Sequence, residues 1–145
     1  SMNMGATMAP AAFHTVMQNL KDLEITKEQL EGCWYDKIIT GDLGKIGKQA
    51  LADLLRNEGL EAEGFLMDCG VEIYDNQKQD THAGGSGCGC SALVLGALIL
   101  PNIQAGIWKR VLFVPTGALL STVSFNEGQT IPGIAHGVIL ERMGK

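Results

Sequence analysis

The stretch YDKIITGDLGKIGKQALADLL, Tyr35 to Leu55, decides the fold. Tyr35 to Thr40 reads as a strand, short and with β-branched Ile38 and Ile39 at its centre. Gly41 ends it, and Asp42 is a good N-cap for the strongest helix of the chain. On that helix Leu43, Ile46, Gly47, Ala50, Leu51, Leu54 and Leu55 fill one face, and Gly59 stops it. A strand, a glycine turn and a capped helix in direct succession signal α/β architecture.

Upstream, Phe13, Val16, Met17 and Leu20 recur at i, i+3, i+4 and i+7. With Pro10 suited to a first turn, they predict an amphipathic helix over 9–23. Thr26 and Gln29 form a capping box for one short helical turn before Gly32. Downstream, Phe65 to Tyr74 reads as a strand interrupted near Cys69-Gly70, and Asp75 to Asp80 as a polar surface loop. Ser91 to Gln104 is apolar nearly all round, which predicts a helix buried on most sides and kinked or ended by Pro101. Val111 to Val114 is a short buried strand, and Pro115-Thr116-Gly117-Ala118 a tight turn. Ser121 to Gln129 is a polar loop, and Ile134 to Leu140 a closing strand. This order predicts one domain over 1–145, with layered helices on a mixed, mostly parallel sheet and no internal repeat.

Composition agrees with one domain and a sizeable core: 145 residues, 46% hydrophobic, mean hydropathy +0.11. A net charge of −5, with 11 Lys and Arg scattered along the chain, argues against nucleic acid or an anionic membrane surface as a partner. Apolar runs such as Ala92 to Leu100 fall short of the roughly 20 residues of a membrane span, and no signal segment opens the chain. A soluble, cytoplasmic protein is expected, able to sit on a membrane through a partner. Ser1 before Met2 reads as a cloning remnant, followed by sequence that begins in mid-protein. Cysteines 33, 69, 88 and 90 have neither disulfide-scaffold nor CxxC spacing, which fits a reducing compartment, and no metal or cofactor motif is present.

The glycine-dense run Thr81-His82-Ala83-Gly84-Gly85-Ser86-Gly87-Cys88-Gly89-Cys90-Ser91 leads into the apolar helix. Bare N–H groups at a helix start can seat an anion; the same glycines can equally serve a tight turn and close packing. Cys88, Cys90 and Cys69 are packing residues by context. His82 reads as a solvated rim residue, His136 as a structural histidine and His14 as solvent-facing. Lys45 and Lys48 fall on the exposed side of their helix.

Four ordered motifs carry a family likeness: TGDLGKIG (Thr40 to Gly47), AGGSGCGCSA (Ala83 to Ala92), VPTGALLS (Val114 to Ser121) and IPGIAHGVILE (Ile131 to Glu141). With the opening NMGATMAPAAF (Asn3 to Phe13), they resemble the stage V sporulation protein AD family, thiolase-like proteins of spore-forming bacteria. The resemblance implies a thiolase-like half-domain, the C-terminal half of a protein whose pocket lies between two similar α/β halves. The catalytic-cysteine position would belong to the N-terminal half. In the condensing-enzyme branch, the second half supplies a histidine and an asparagine that stabilise an oxyanion. By order of elements these positions correspond to Thr40-Gly41-Asp42 and to Gly85 through Ser91, and neither donor is present.

The resemblance therefore implies no catalytic residue and no enzyme. It implies binding of dipicolinic acid, pyridine-2,6-dicarboxylate, and its uptake into the developing spore with the stage V sporulation A membrane proteins, which would hold the chain peripherally at the spore inner membrane. Gly41, Asp42, Gly85, Ser86, Gly87, Thr116, Gly117 and Ala118 are the expected ligand-binding positions, with Lys45 or Lys48 as a source of positive charge. The alternatives are a thiolase-class acyltransferase acting on acyl thioesters, and a ligand-free scaffold of the transport complex. An apolar face made for the N-terminal half should also let two copies pair about a two-fold axis.

Overall fold

A computed structural model describes residues 4–76, 95–115, 130–132 and 137–142. Helix α1 (Met4–Asp22) and the short α2 (Lys27–Glu31) precede strand β1 (Lys37–Thr40) and helix α3 (Gly44–Asn57). A 3₁₀ turn (Glu63–Phe65), strand β2 (Leu66–Asp68) and helix α4 (Cys69–Asn76) follow. A π-helical turn (Leu95–Ile99) runs into α5 (Leu100–Gln104), and strands β3 (Arg110–Val114), β4 (Thr130–Pro132) and β5 (Val138–Glu141) complete the fold.

The sheet order is β2-β1-β3-β5-β4. Strand β1 pairs in parallel with both β2 and β3, while β5 is antiparallel to β3 and to β4. All strands but β5 thus point one way, the mixed, mostly parallel sheet that the order of elements predicts.

Alternation along the strands divides the core. Ile38, Leu66, Leu112, Val114 and Ile139 share one cluster with Ala12, Val16 and Leu20 of α1 and Leu51 and Leu55 of α3. Ile39, Val111, Phe113, Val138 and Leu140 form the other with Cys69, Ile99 and Ile103. Successive residues of a strand face opposite ways, so a sheet covered on both sides needs consecutive apolar residues; Ile38-Ile39 of β1 and Val111 to Val114 of β3 supply them. This α/β layering is that of a thiolase-like half-domain. Cys69 is buried in this core, as expected for a packing residue.

The Thr26–Gln29 capping box forms, with the Gln29 N–H donating to Thr26 Oγ1 and the Thr26 N–H to Gln29 Oε1. Other expectations are corrected. Helix α1 begins at Met4, so Pro10 lies inside it, at an exposed position where water can reach the backbone that proline leaves unbonded. Phe65 to Tyr74 is not one interrupted strand: β2 ends at Asp68, and helix α4 starts on the next residue. On α3, Gly47, Leu51, Ala52 and Leu55 are buried while Ile46 is 60% exposed, because the stripe that meets α1 and the sheet is narrower than the run of apolar residues. Near Pro101 only one side is covered: Ile99 and Ile103 are buried, whereas Gly96, Ala97, Pro101 and Gln104 are exposed. The closing strand occupies Val138–Glu141, later than expected. The polar loop predicted at Ser121 to Gln129 lies outside the described residues.

Candidate functional site

The parallel strands bring their carboxyl ends together. Thr40, last in β1, is level with Asp68, last in β2, and with Val114, last in β3. The Gly41 N–H donates to the Val114 carbonyl at 3.0 Å, so the turn after β1 lies against the end of β3. In open α/β sheets this edge is where ligands bind.

Asp68 organises the edge and is fully buried. Its Oδ1 accepts from the Thr40 hydroxyl at 2.6 Å and the Leu43 N–H at 2.7 Å. Its Oδ2 accepts from the Gly44 N–H at 2.9 Å, the Gly70 N–H at 3.0 Å and the Val71 N–H at 3.3 Å. For α4 it acts as an N-cap, bonding the second and third N–H groups. For α3 it is an anion brought from another strand.

The backbone explains why those N–H groups converge. Asp42 (φ 49°) and Gly44 (φ 76°) are left-handed, whereas Leu43 between them is right-handed at φ −77°. Alternating hands turn successive N–H groups to one side, the concave nest that elsewhere holds free anions. Here the nest holds the protein's own carboxylate.

Asp42 is therefore not the N-cap of α3 that sequence position suggests. That place is taken by Leu43, without a side-chain cap bond, and Asp68 supplies the acceptor instead. The Asp42 side chain is placed elsewhere. It lies half-buried against Gly70, where a Cβ would come within 2.3 Å of Asp42 Oδ1 and 3.1 Å of Asp68 Oδ2. Burial, then the nearby Asp68 charge, pushes the Asp42 carboxyl above the ordinary carboxylate range. Among the described residues, no ion pair involves Asp42 or Asp68.

Of the expected ligand-binding positions, Gly41 and Asp42 are thus placed at this edge. Gly85, Ser86, Gly87, Thr116, Gly117 and Ala118 lie outside the described residues, as do His82, Cys88, Cys90 and His136. His14 is exposed on α1. Lys45 and Lys48 line a groove of about 250 Å³ on the flank of α3, with Gln49, Ala52, Glu63 and Val71. Among the described residues, no group of three or more His, Cys, Asp or Glu is placed to hold a metal, and no helix is long and apolar enough to cross a membrane.

Sequence reasoning missed Asp68 and Gly70. The available signal was an aspartate closing an apolar strand just ahead of Val71 and Tyr74, spaced i, i+3, which is a helix start.

The family model of stage V sporulation protein AD matches residues 1–141. Stage V sporulation protein AD of Bacillus subtilis (strain 168) is 44% identical over 142 residues, a match covering 98% of this chain and 40% of that relative. The chain thus spans about two-fifths of the length of the curated relative it matches.

Proposed function

The chain belongs to the stage V sporulation protein AD family, and from that premise we propose that it forms one wall of a pocket that binds dipicolinic acid without converting it. The family's name places it in sporulation. The observation that carries the binding reading is the edge at Thr40, Gly41 and Asp42: where a condensing enzyme of this fold would aim a histidine, there is a glycine and an acid. Loss of one such donor removes about 3 kcal/mol of oxyanion stabilisation, and a carboxylate in its place opposes that charge. With Ser86 and Gly87 likewise standing in for an asparagine, this half lacks both oxyanion donors of a condensing enzyme. In the cell, the pocket would pass its ligand to the stage V sporulation A membrane proteins at the spore inner membrane.

The N-terminal half of the full-length protein would complete the pocket, so this chain alone should bind weakly or not at all. Two copies could instead pair through the face meant for that half; exposed Gly96, Ala97 and Ile107 fit such a face. Calorimetric titration of the full-length protein with dipicolinate should give saturable binding, weakened when Ser86 or Gly87 is replaced by a bulky residue. No heat at millimolar ligand would refute the proposal, and an acyl-enzyme seen by mass spectrometry would replace it with acyl transfer.

A further inference from the structure

Building on the carboxylate-binding reading above, we infer that Asp42 sets the ligand specificity of this edge: a carboxylate is received beside it only when the Asp42 side chain is uncharged and donates a hydrogen bond. The argument starts from the N–H groups of the turn. A run such as Gly41 to Gly44, with two left-handed residues, would ordinarily be the anion seat. Here Gly41 donates to Val114, while Leu43 and Gly44 donate to Asp68. An incoming carboxylate cannot have the Leu43 and Gly44 groups without evicting a buried side chain that accepts five hydrogen bonds. Asp42 is the remaining polar side chain of the turn.

The surroundings decide which form of Asp42 a ligand meets. From β2, Asp68 presents a second carboxyl; from β1 and α4, Thr40 and Gly70 present no charge. On α3, Lys45 and Lys48 line the flank groove, and neither they nor any other described Lys or Arg is ion-paired with Asp42. Two acidic side chains are thus packed against one glycine with no described cation paired to either. Ionised, Asp42 repels a carboxylate; protonated, it offers an O–H to one of the ligand's oxygens. Gly70 makes the arrangement possible, since any Cβ there would occupy the place of Asp42 Oδ1.

The test is titration of the full-length protein with dipicolinate between about pH 6 and pH 8, where free carboxylic acids are already ionised. One proton taken up with the ligand should weaken binding by up to about tenfold for each pH unit. Asp42→Asn keeps a donor in every protonation state and suits the left-handed backbone, so it should fold, bind more tightly at pH 8 and lose the pH dependence. Gly70→Ala, which displaces the Asp42 carboxyl without changing charge, should weaken binding at pH 6. A wild-type affinity that does not change with pH, or an Asp42→Asn protein that keeps the wild-type slope, overturns the inference and leaves dipicolinate binding standing. Absence of binding at every pH overturns both.

Discussion

The two ends of the parallel strands are built from the same device and reach opposite electrostatic results. At the amino end, Asp36 Oδ2 accepts from the Lys109 N–H at 2.6 Å and the Arg110 N–H at 3.0 Å. At the carboxyl end, Asp68 accepts from the consecutive N–H groups of Leu43 and Gly44. Each aspartate ties one segment to another across the sheet. At the amino end a cation is then added: Arg110 bonds Glu141 at 2.9 Å and the Trp34 carbonyl at 2.8 Å, with its guanidinium 3.8 Å over the Trp34 ring. At the carboxyl end, Asp42 is added and no described cation answers it. One end is a latch; the other packs two carboxyls against a single glycine.

Four substitutions can break or sharpen this contrast. Asp68→Ala should be the most damaging, because it strands several buried or part-buried N–H groups at once, each worth about 1–3 kcal/mol when fully buried. A loss of at least about 3 kcal/mol in urea unfolding is expected; a loss below about 1 kcal/mol would show that the nest does not depend on its internal anion. Gly70→Ala should cost roughly 1–3 kcal/mol by forcing Asp42 aside, measured in the same way.

Arg110→Ala tests the latch. It removes a cation–π contact and a half-exposed ion pair, together about 1–2 kcal/mol, and the ion-pair part should shrink in high salt. Asp42→Asn should have the smallest effect and the opposite sign. Because folding raises this carboxyl, the folded state holds its proton to higher pH than the unfolded chain, and stability falls as pH climbs from the ordinary carboxylate value of 3.8 through the raised one. The variant escapes that loss. It should melt slightly higher than wild type at neutral pH, and the difference should vanish below the ordinary carboxylate range.

Local signals made much of the fold legible. The β-branched pair Ile38-Ile39, the Thr26–Gln29 box and the periodicity of α1 and α3 each depend on neighbours within a few residues, and each holds in the structure. The strand read across Phe65 to Tyr74 failed because apolar residues in short runs suit strand and helix alike. The element actually turns helical where Asp68 caps it.

At the site, residue types were visible and their partners were not. Asp42 has the composition of an N-cap and stands directly before an apolar helix, yet the cap comes from Asp68, 25 positions beyond Leu43. Only the parallel pairing of β1 with β2, which sets Thr40 level with Asp68, brings that carboxylate under the turn. Once it is there, the nest is filled, and Asp42 is pushed outward against Gly70.

The sequence by itself determined the α/β class, most of the elements and the family, because these follow from periodicity, turn chemistry and ordered motifs along the chain. Tertiary structure alone decided which aspartate holds the helix starts and which one rests against Gly70. Strand register is the reason: it places groups distant in sequence within hydrogen-bond reach, and a carboxylate goes where the most N–H groups converge on it.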